Sequence, residues 1–108
     1  LFSQENHGLH FTSTTYDFGN LSSNNKARAL FNFTNTSNST IEIINIRGKS
    51  RCVEIDSSSI KSYAPMEKGE IFIRYNTECS GPIRKIISVF TSSKRETVAL
   101  KLTGEVIH

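Results

Sequence analysis

Cys52 and Cys79 are the residues whose type and placement most directly imply chemistry in this chain. They are the two cysteines among 108 residues. An even count in a small domain reads as a disulfide in an oxidising compartment and as two free thiols in a reducing one. Cys52 opens one strand-like run, and Cys79 follows the end of the next long one. Antiparallel pairing about a turn near residues 56–69 would bring those ends together, and such a bridge stabilises by roughly 3–4 kcal/mol on the chain-entropy model. The bridge between Cys52 and Cys79 is the expectation carried forward. A redox role would need Cys-x-x-Cys proximity, which the chain does not supply.

The other candidates for chemistry are weaker. His7, His10 and His108 are the only imidazoles, and a zinc site takes three or four ligands at workable spacing. Two of these histidines sit at the chain ends and one on the first strand, so they read as surface residues. Gly48-Lys49-Ser50 imitates the end of a phosphate-binding loop, but Ile43 stands where that loop needs its first glycine. The segment also runs into a strand rather than a helix N-terminus. No serine lies in a Gly-x-Ser-x-Gly elbow. Asp17, between Tyr16 and Phe18 and before Gly19, is the best-defined carboxylate, and its expected work is to accept turn amide hydrogen bonds. No catalytic, cofactor-binding or metal-ligating residue is assigned, and no cofactor or enzymatic activity is expected.

The elements that must position these residues are strands. Apolar residues recur with period two in Ala27, Ala29, Phe31 and Phe33, with Lys26, Arg28, Asn32 and Thr34 turned outward. Leu9-His10-Phe11 and Thr15 to Phe18 form a broken first strand. Ile41 and Ile43 continue inward, then the phase slips, because Ile44 and Ile46 fall on the opposite parity; a bulge or a strand buried on both faces would account for that. Ile71, Ile73 and Tyr75 alternate after the turn Pro65 to Gly69, and Val98, Leu100, Leu102, Gly104 and Val106 share one face. Ser22 to Asn25, Asn35 to Ser39 and Thr91 to Lys94 are turn clusters between these runs. About seven short strands at intervals of about ten residues read as an all-β, Ig-like antiparallel sandwich. Residues 1–8 are expected to be a flexible tail or signal-peptide remnant, and 9–107 the sandwich domain.

Composition excludes further classes. With 36% hydrophobic and 21% charged residues, the chain is unlike a disordered tail, and it has no stretch near the roughly 20 apolar residues of a membrane helix. Its formal charge is +3, but the 13 basic residues are scattered among 10 acidic ones, with Arg47 to Arg51 as the one local cluster. A dedicated nucleic-acid surface is not indicated. Leu1 to Asn6 read either as an arbitrary boundary or as the last residues of a signal peptide. Asn20, Asn32, Asn35 and Asn38 each open an Asn-x-Ser/Thr sequon, a glycan acceptor in a secreted eukaryotic protein and a by-product of Asn/Ser/Thr-rich turns in a bacterial one.

Taken in order, Tyr16-Asp17-Phe18-Gly19-Asn20-Leu21, Phe31 to Thr36, Ile41 to Gly48 and the closing Leu100-Lys101-Leu102-Thr103-Gly104-Glu105-Val106 resemble a bacterial domain-of-unknown-function family of Ig-like modules. That family is similar to Hydin-type and major-sperm-protein-like domains. The resemblance covers residues 9 to 107 and departs from the family at two places. Lys49-Ser50-Arg51-Cys52 keeps only the second cysteine of a Cys-Gly-Cys-like element. Pro65 to Gly69 is read as a longer connection where the family has Pro-Gly. The resemblance implies an exported or surface-associated binding or structural module and offers no catalytic residue.

Parity supplies the candidate contact surface. If Phe31 and Ile73 point inward, then Leu30 and Phe72 point outward, and Ile86 and Phe90 lie opposite Ile87 and Val89. Grouped exposed apolar residues mark contact surfaces, so Leu30, Phe72, Ile86 and Phe90 form the candidate partner face. The expected function is a non-enzymatic binding or structural module, exported to periplasm, cell surface or medium (a cytoplasmic place is the alternative), with a protein partner or neighbouring domain and neither nucleic acid nor a membrane span. The alternative is an accessory domain of a larger envelope enzyme or carbohydrate-processing assembly.

Overall fold

Alternating burial along the chain builds two facing sheets. A computed structural model describes residues 8–23, 25–92 and 97–107. Among them run β1 (Leu9–Phe11), β2 (Thr15–Ser22), β3 (Ala27–Asn35), β4 (Ile41–Arg47), β5 (Val53–Ile55), β6 (Ser62–Tyr63), β7 (Lys68–Tyr75), β8 (Gly81–Thr91) and β9 (Thr97–Ile107). One sheet has the order β1-β3-β7-β5 and the other β2-β9-β8-β4-β6. The Ig-like sandwich is thus the observed architecture. Residues 1–7 of the expected 1–8 tail, His7 among them, together with His108, Asn24 and the Ser93-Lys94 part of a turn cluster, lie outside the described residues. Gly8 is buried, and its carbonyl accepts the Thr36 amide at 2.6 Å, so the ordered sandwich includes it.

The inward parity is as expected: Ala29, Phe31, Ile71 and Ile73 from one sheet meet Ile87, Val89, Leu100 and Leu102 from the other, all nearly inaccessible. Aromatic rings fill the space between them. Phe33 packs on Phe11 at 5.2 Å and edge-on to Tyr63 at 4.9 Å, and Tyr16 packs on Phe18 at 5.0 Å, geometries that suit the ring quadrupole. The phase slip in β4 is a bulge between Ile43 and Asn45. It leaves Ile44 54% exposed and returns Ile46 to the core.

The broken first strand is two strands in two sheets. β1 pairs antiparallel with β3. The chain then crosses over at Thr12–Thr14, and β2 pairs parallel with β9, the one parallel pair described. The same pairing brings the first and last family-like motifs together. Between Asp17 and Asn20, β2 carries an extra residue opposite β9, and the Asp17 carboxylate accepts the Gly19 amide at 2.9 Å, the turn role expected of it. Across from this bulge stands Gly104 at φ +141, where a Cβ would lie 2.9 Å from the Gly19 carbonyl and 3.0 Å from Phe18 Cβ. Only glycine suits both that backbone and that approach.

One connection differs from expectation. Pro65 to Gly69 is not longer than a Pro-Gly turn. Glu67 donates its amide to the Ala64 carbonyl at 2.9 Å, so Pro65-Met66 are the two central residues, and Met66 adopts φ 69 where a type II turn favours glycine. The Met66 amide, bonded to the Asn35 carbonyl at 2.6 Å, holds it there.

Asn35 is fully buried. Its side-chain amide donates to the Ser39 and Tyr63 carbonyls, both at 2.9 Å, and its side-chain oxygen accepts the Ser37 amide and hydroxyl at 3.0 and 2.7 Å. Replacing Asn35 with alanine would remove four side-chain hydrogen bonds, one of them to the buried Tyr63 carbonyl, and is expected to cost about 3 kcal/mol or more. Asn32→Ala, on the outer face of the same strand, should stay within about 0.5 kcal/mol. Chemical denaturation of the two variants makes the comparison.

Candidate functional site

Cys52 and Cys79 form a disulfide with 6.0 Å between their Cα atoms. The pairing that brings them together is the expected antiparallel one: Val53 faces Tyr75 across β5 and β7, and the Asn76 amide donates to the Cys52 carbonyl at 2.8 Å. Both cysteines are half-buried against the core. At the same end, the Thr77 hydroxyl lies 2.9 Å from the Ser23 and Asn25 carbonyls. The loops around β5, β7 and the start of β3 are therefore tied to one another.

The four residues of the expected contact face divide between opposite sides of the sandwich. Leu30 and Phe72 are direct partners on β3 and β7; Leu30 is 40% exposed and Phe72 is half-buried. Ile86, 59% exposed, and half-buried Phe90 point out from β8 on the other sheet. Outward parity is correct for all four, but it carries no information about which sheet a strand joins. The ring of Phe72 is flanked by cations, with the guanidinium carbons of Arg28 and Arg74 over it at 5.7 and 5.4 Å. Arg47 lies over Phe90 at 5.5 Å. Period-two reading named Arg28 as outward but did not pair it with Arg74, because the register between β3 and β7 decides that.

The remaining candidates resolve simply. His10 is exposed on β1, and among the described residues no three His, Cys, Asp or Glu side chains are grouped to hold a metal. Gly48-Lys49-Ser50 leads into the turn before β5, not into a helix. Of the four sequons, Asn20, Asn32 and Asn38 are exposed, whereas Asn35 is buried with its amide engaged and is closed to modification in the folded state. No helix among the described residues is long and apolar enough to cross a membrane.

Among the described residues, three ionisable groups are shifted. Asp56 lies below the usual carboxylate value because the Ser58 amide donates to it at 2.8 Å. Burial pushes the Tyr63 phenol up, helped by the Glu67 carboxylate, and burial alone raises Tyr75.

Two measurements check this site. Cys52→Ala/Cys79→Ala should lose about 3–4 kcal/mol of stability, the chain-entropy value for a loop of 27 residues. Stability should also fall as pH rises above 10.0, since the unfolded tyrosines ionise there before the folded ones. Tyr63→Phe removes the hydroxyl that donates to the Ser59 carbonyl at 2.8 Å. It should cost about 1 kcal/mol at neutral pH and make the alkaline decline shallower, as read by denaturation across pH.

Comparison with known proteins agrees with this geometry. No curated protein matches the sequence significantly. Among solved structures, the chain is similar to a protein of unknown function from Porphyromonas gingivalis W83, with 14% identity and a TM-score of 0.77 over 91% of this chain and 46% of that one. It is similar to the secreted serine protease VesC from Vibrio cholerae, with 20% identity and a TM-score of 0.69 over 94% of this chain and 24% of that one. It is also similar to the ASH / PapD-like domain 7 of human CEP192, with 9% identity and a TM-score of 0.73 over 100% and 91%. The chain spans less than half the length of the first and about a quarter of the second, and at these identities the likeness is one of fold. The family model for proteins of unknown function DUF1573 matches residues 9–106, from β1 into the end of β9, and the chain belongs to that family.

Proposed function

We propose that this domain is a non-enzymatic binding or structural module, exported to an oxidising compartment, that meets a protein partner or a neighbouring domain through a sheet face or an open sheet edge. The observation that carries the reading is the Leu30–Phe72 pair on the outer β3–β7 face, with Leu30 40% exposed and Phe72 half-buried under two arginines. The Cys52–Cys79 bridge supports the compartment, because disulfides persist where thiols are not kept reduced. The β2 edge supports a second mode of contact. It is eight residues long and pairs on one side only, and an added strand would bond to its main chain without any special side chain.

A second reading, an accessory domain of a larger envelope enzyme, is favoured by one observation. A fold similar to this one occupies about a quarter of a secreted protease chain.

Photo-crosslinking residues placed at Leu30, Ile86 and Asn20 of the whole protein test these readings, one on each outer face and one on the β2 edge. A module predicts a crosslink from at least one position to a discrete polypeptide. An accessory domain predicts crosslinks within its own longer chain. Silence at all three positions would count against both. Leu30→Ser/Phe72→Ser should cost no more than about 1 kcal/mol; a collapse in Tm would mean that the pair serves the fold instead.

A further inference from the structure

The basic residues look scattered along the chain, yet the fold gathers five of them at one end of the β3–β7 sheet. Lys49 and Arg51, from the turn before β5, line a shallow cleft of about 450 Å³ with Arg74. Lys26 and Arg28, at the start of β3, line a second of about 430 Å³. The two clefts share Arg74, Tyr75 and Asn76, so they form one surface on either side of Arg74. All five cations are exposed.

Arg28 and Arg74 sit directly opposite each other across the strands, a like-charge pairing that weakens a sheet. Both guanidiniums lie over the Phe72 ring, their carbons 5.7 and 5.4 Å from its centroid, a cation–π contact that holds each of them against the face. Arg74 has Glu54 at 3.6 Å and also acts on the nearby Asp56 carboxyl. Among the described residues no carboxylate lies within ion-pair distance of Lys26, Arg28, Lys49 or Arg51. The disulfide and the Thr77 hydroxyl fix the loops that carry these side chains, so a ligand meets cations already in place.

We infer that this surface binds an acidic protein segment, an extended stretch whose carboxylates seat on Arg28, Arg74 and the flanking cations while an apolar side chain covers Leu30. The inference deepens the module reading above and rests on it. Each planar guanidinium offers two parallel N–H donors that match the two oxygens of one carboxylate. The adjoining Leu30, 40% exposed, gives an apolar neighbour that bare polyanions do not use. Nucleic acid fits less well, because a stacking platform needs a free ring face and the Phe72 ring is covered by the two arginines. A lipid surface fits less well because Glu54 and Glu70 share this face: an extended peptide places its carboxylates clear of them, whereas a continuous anionic surface does not.

The test uses the whole protein and a labelled peptide of roughly ten residues, rich in Glu with one Leu, beside the same peptide with Gln for Glu. The Glu peptide should bind, and more weakly as salt is added; the Gln peptide should not. Arg28→Gln and Arg74→Gln should each weaken binding about tenfold, the effect of one charge-assisted hydrogen bond. Tm should hold or rise in Arg28→Gln as the like-charge pair is relieved. Ile86→Ser, on the opposite face, should change nothing. Equal binding of both peptides, no binding, a lower Tm in Arg28→Gln, or tighter binding of a single-stranded oligonucleotide or of anionic phospholipid vesicles would each overturn the inference. Crosslinks from Ile86 or Asn20 would still stand in that case, so this idea can fail while the module reading survives.

Discussion

The buried amide of Asn35 joins parts of the chain that strand pairing alone leaves apart. β3 ends at Asn35 in one sheet, and β4 begins a few residues later in the other. The loop that turns between layers is itself largely exposed, but Asn35 at its root is buried, where polar groups need partners. Asn35 supplies those partners with a single side chain, through Ser37 and Ser39 in the connecting loop and Tyr63 on β6. Its own carbonyl holds Met66 in the left-handed region, which sets the turn into β7. Tyr63 then rests edge-on to Phe33, so the polar node and the aromatic core fix each other. A half-satisfied version would cost more than an apolar residue there.

The rest of the sandwich manages its open edges by the means such sheets have. β1, β5 and β6 are two or three residues long, too short to template another chain. β4 is bent by its bulge. β2 is the long edge, and the Phe18-Gly19 bulge interrupts it where it crosses Gly104. Apolar and charged side chains on the outer faces follow a different logic. The stacked arginines over Phe72 are not needed to close the core, and their mutual repulsion works against the sheet that carries them.

Much of this was legible in the residues themselves. Period two assigned the inward positions of β3, β7 and β9 and the outward direction of Leu30, Phe72, Ile86 and Phe90. It also located the phase slip at Ile44. The ends of consecutive strands brought Cys52 and Cys79 together. Asn35 was legible only as a turn residue and a sequon, because no local pattern distinguishes an exposed turn asparagine from one whose amide is enclosed by residues 28 positions away. The basic end was missed for the same reason: Lys26, Arg28, Lys49, Arg51 and Arg74 are dispersed in sequence and meet through the register of β7 with β3 and β5.

The sequence by itself determined which side of each strand faces the core, where the chain turns, and that two cysteines could bridge. These follow from local alternation and turn chemistry, which act over a few residues. Only the tertiary structure decided that the first strand divides between two sheets, that β2 lies parallel to β9, and that the four outward apolar residues occupy opposite faces. Parity is a property of one strand, whereas the identity of its neighbours depends on how the whole chain closes around its core.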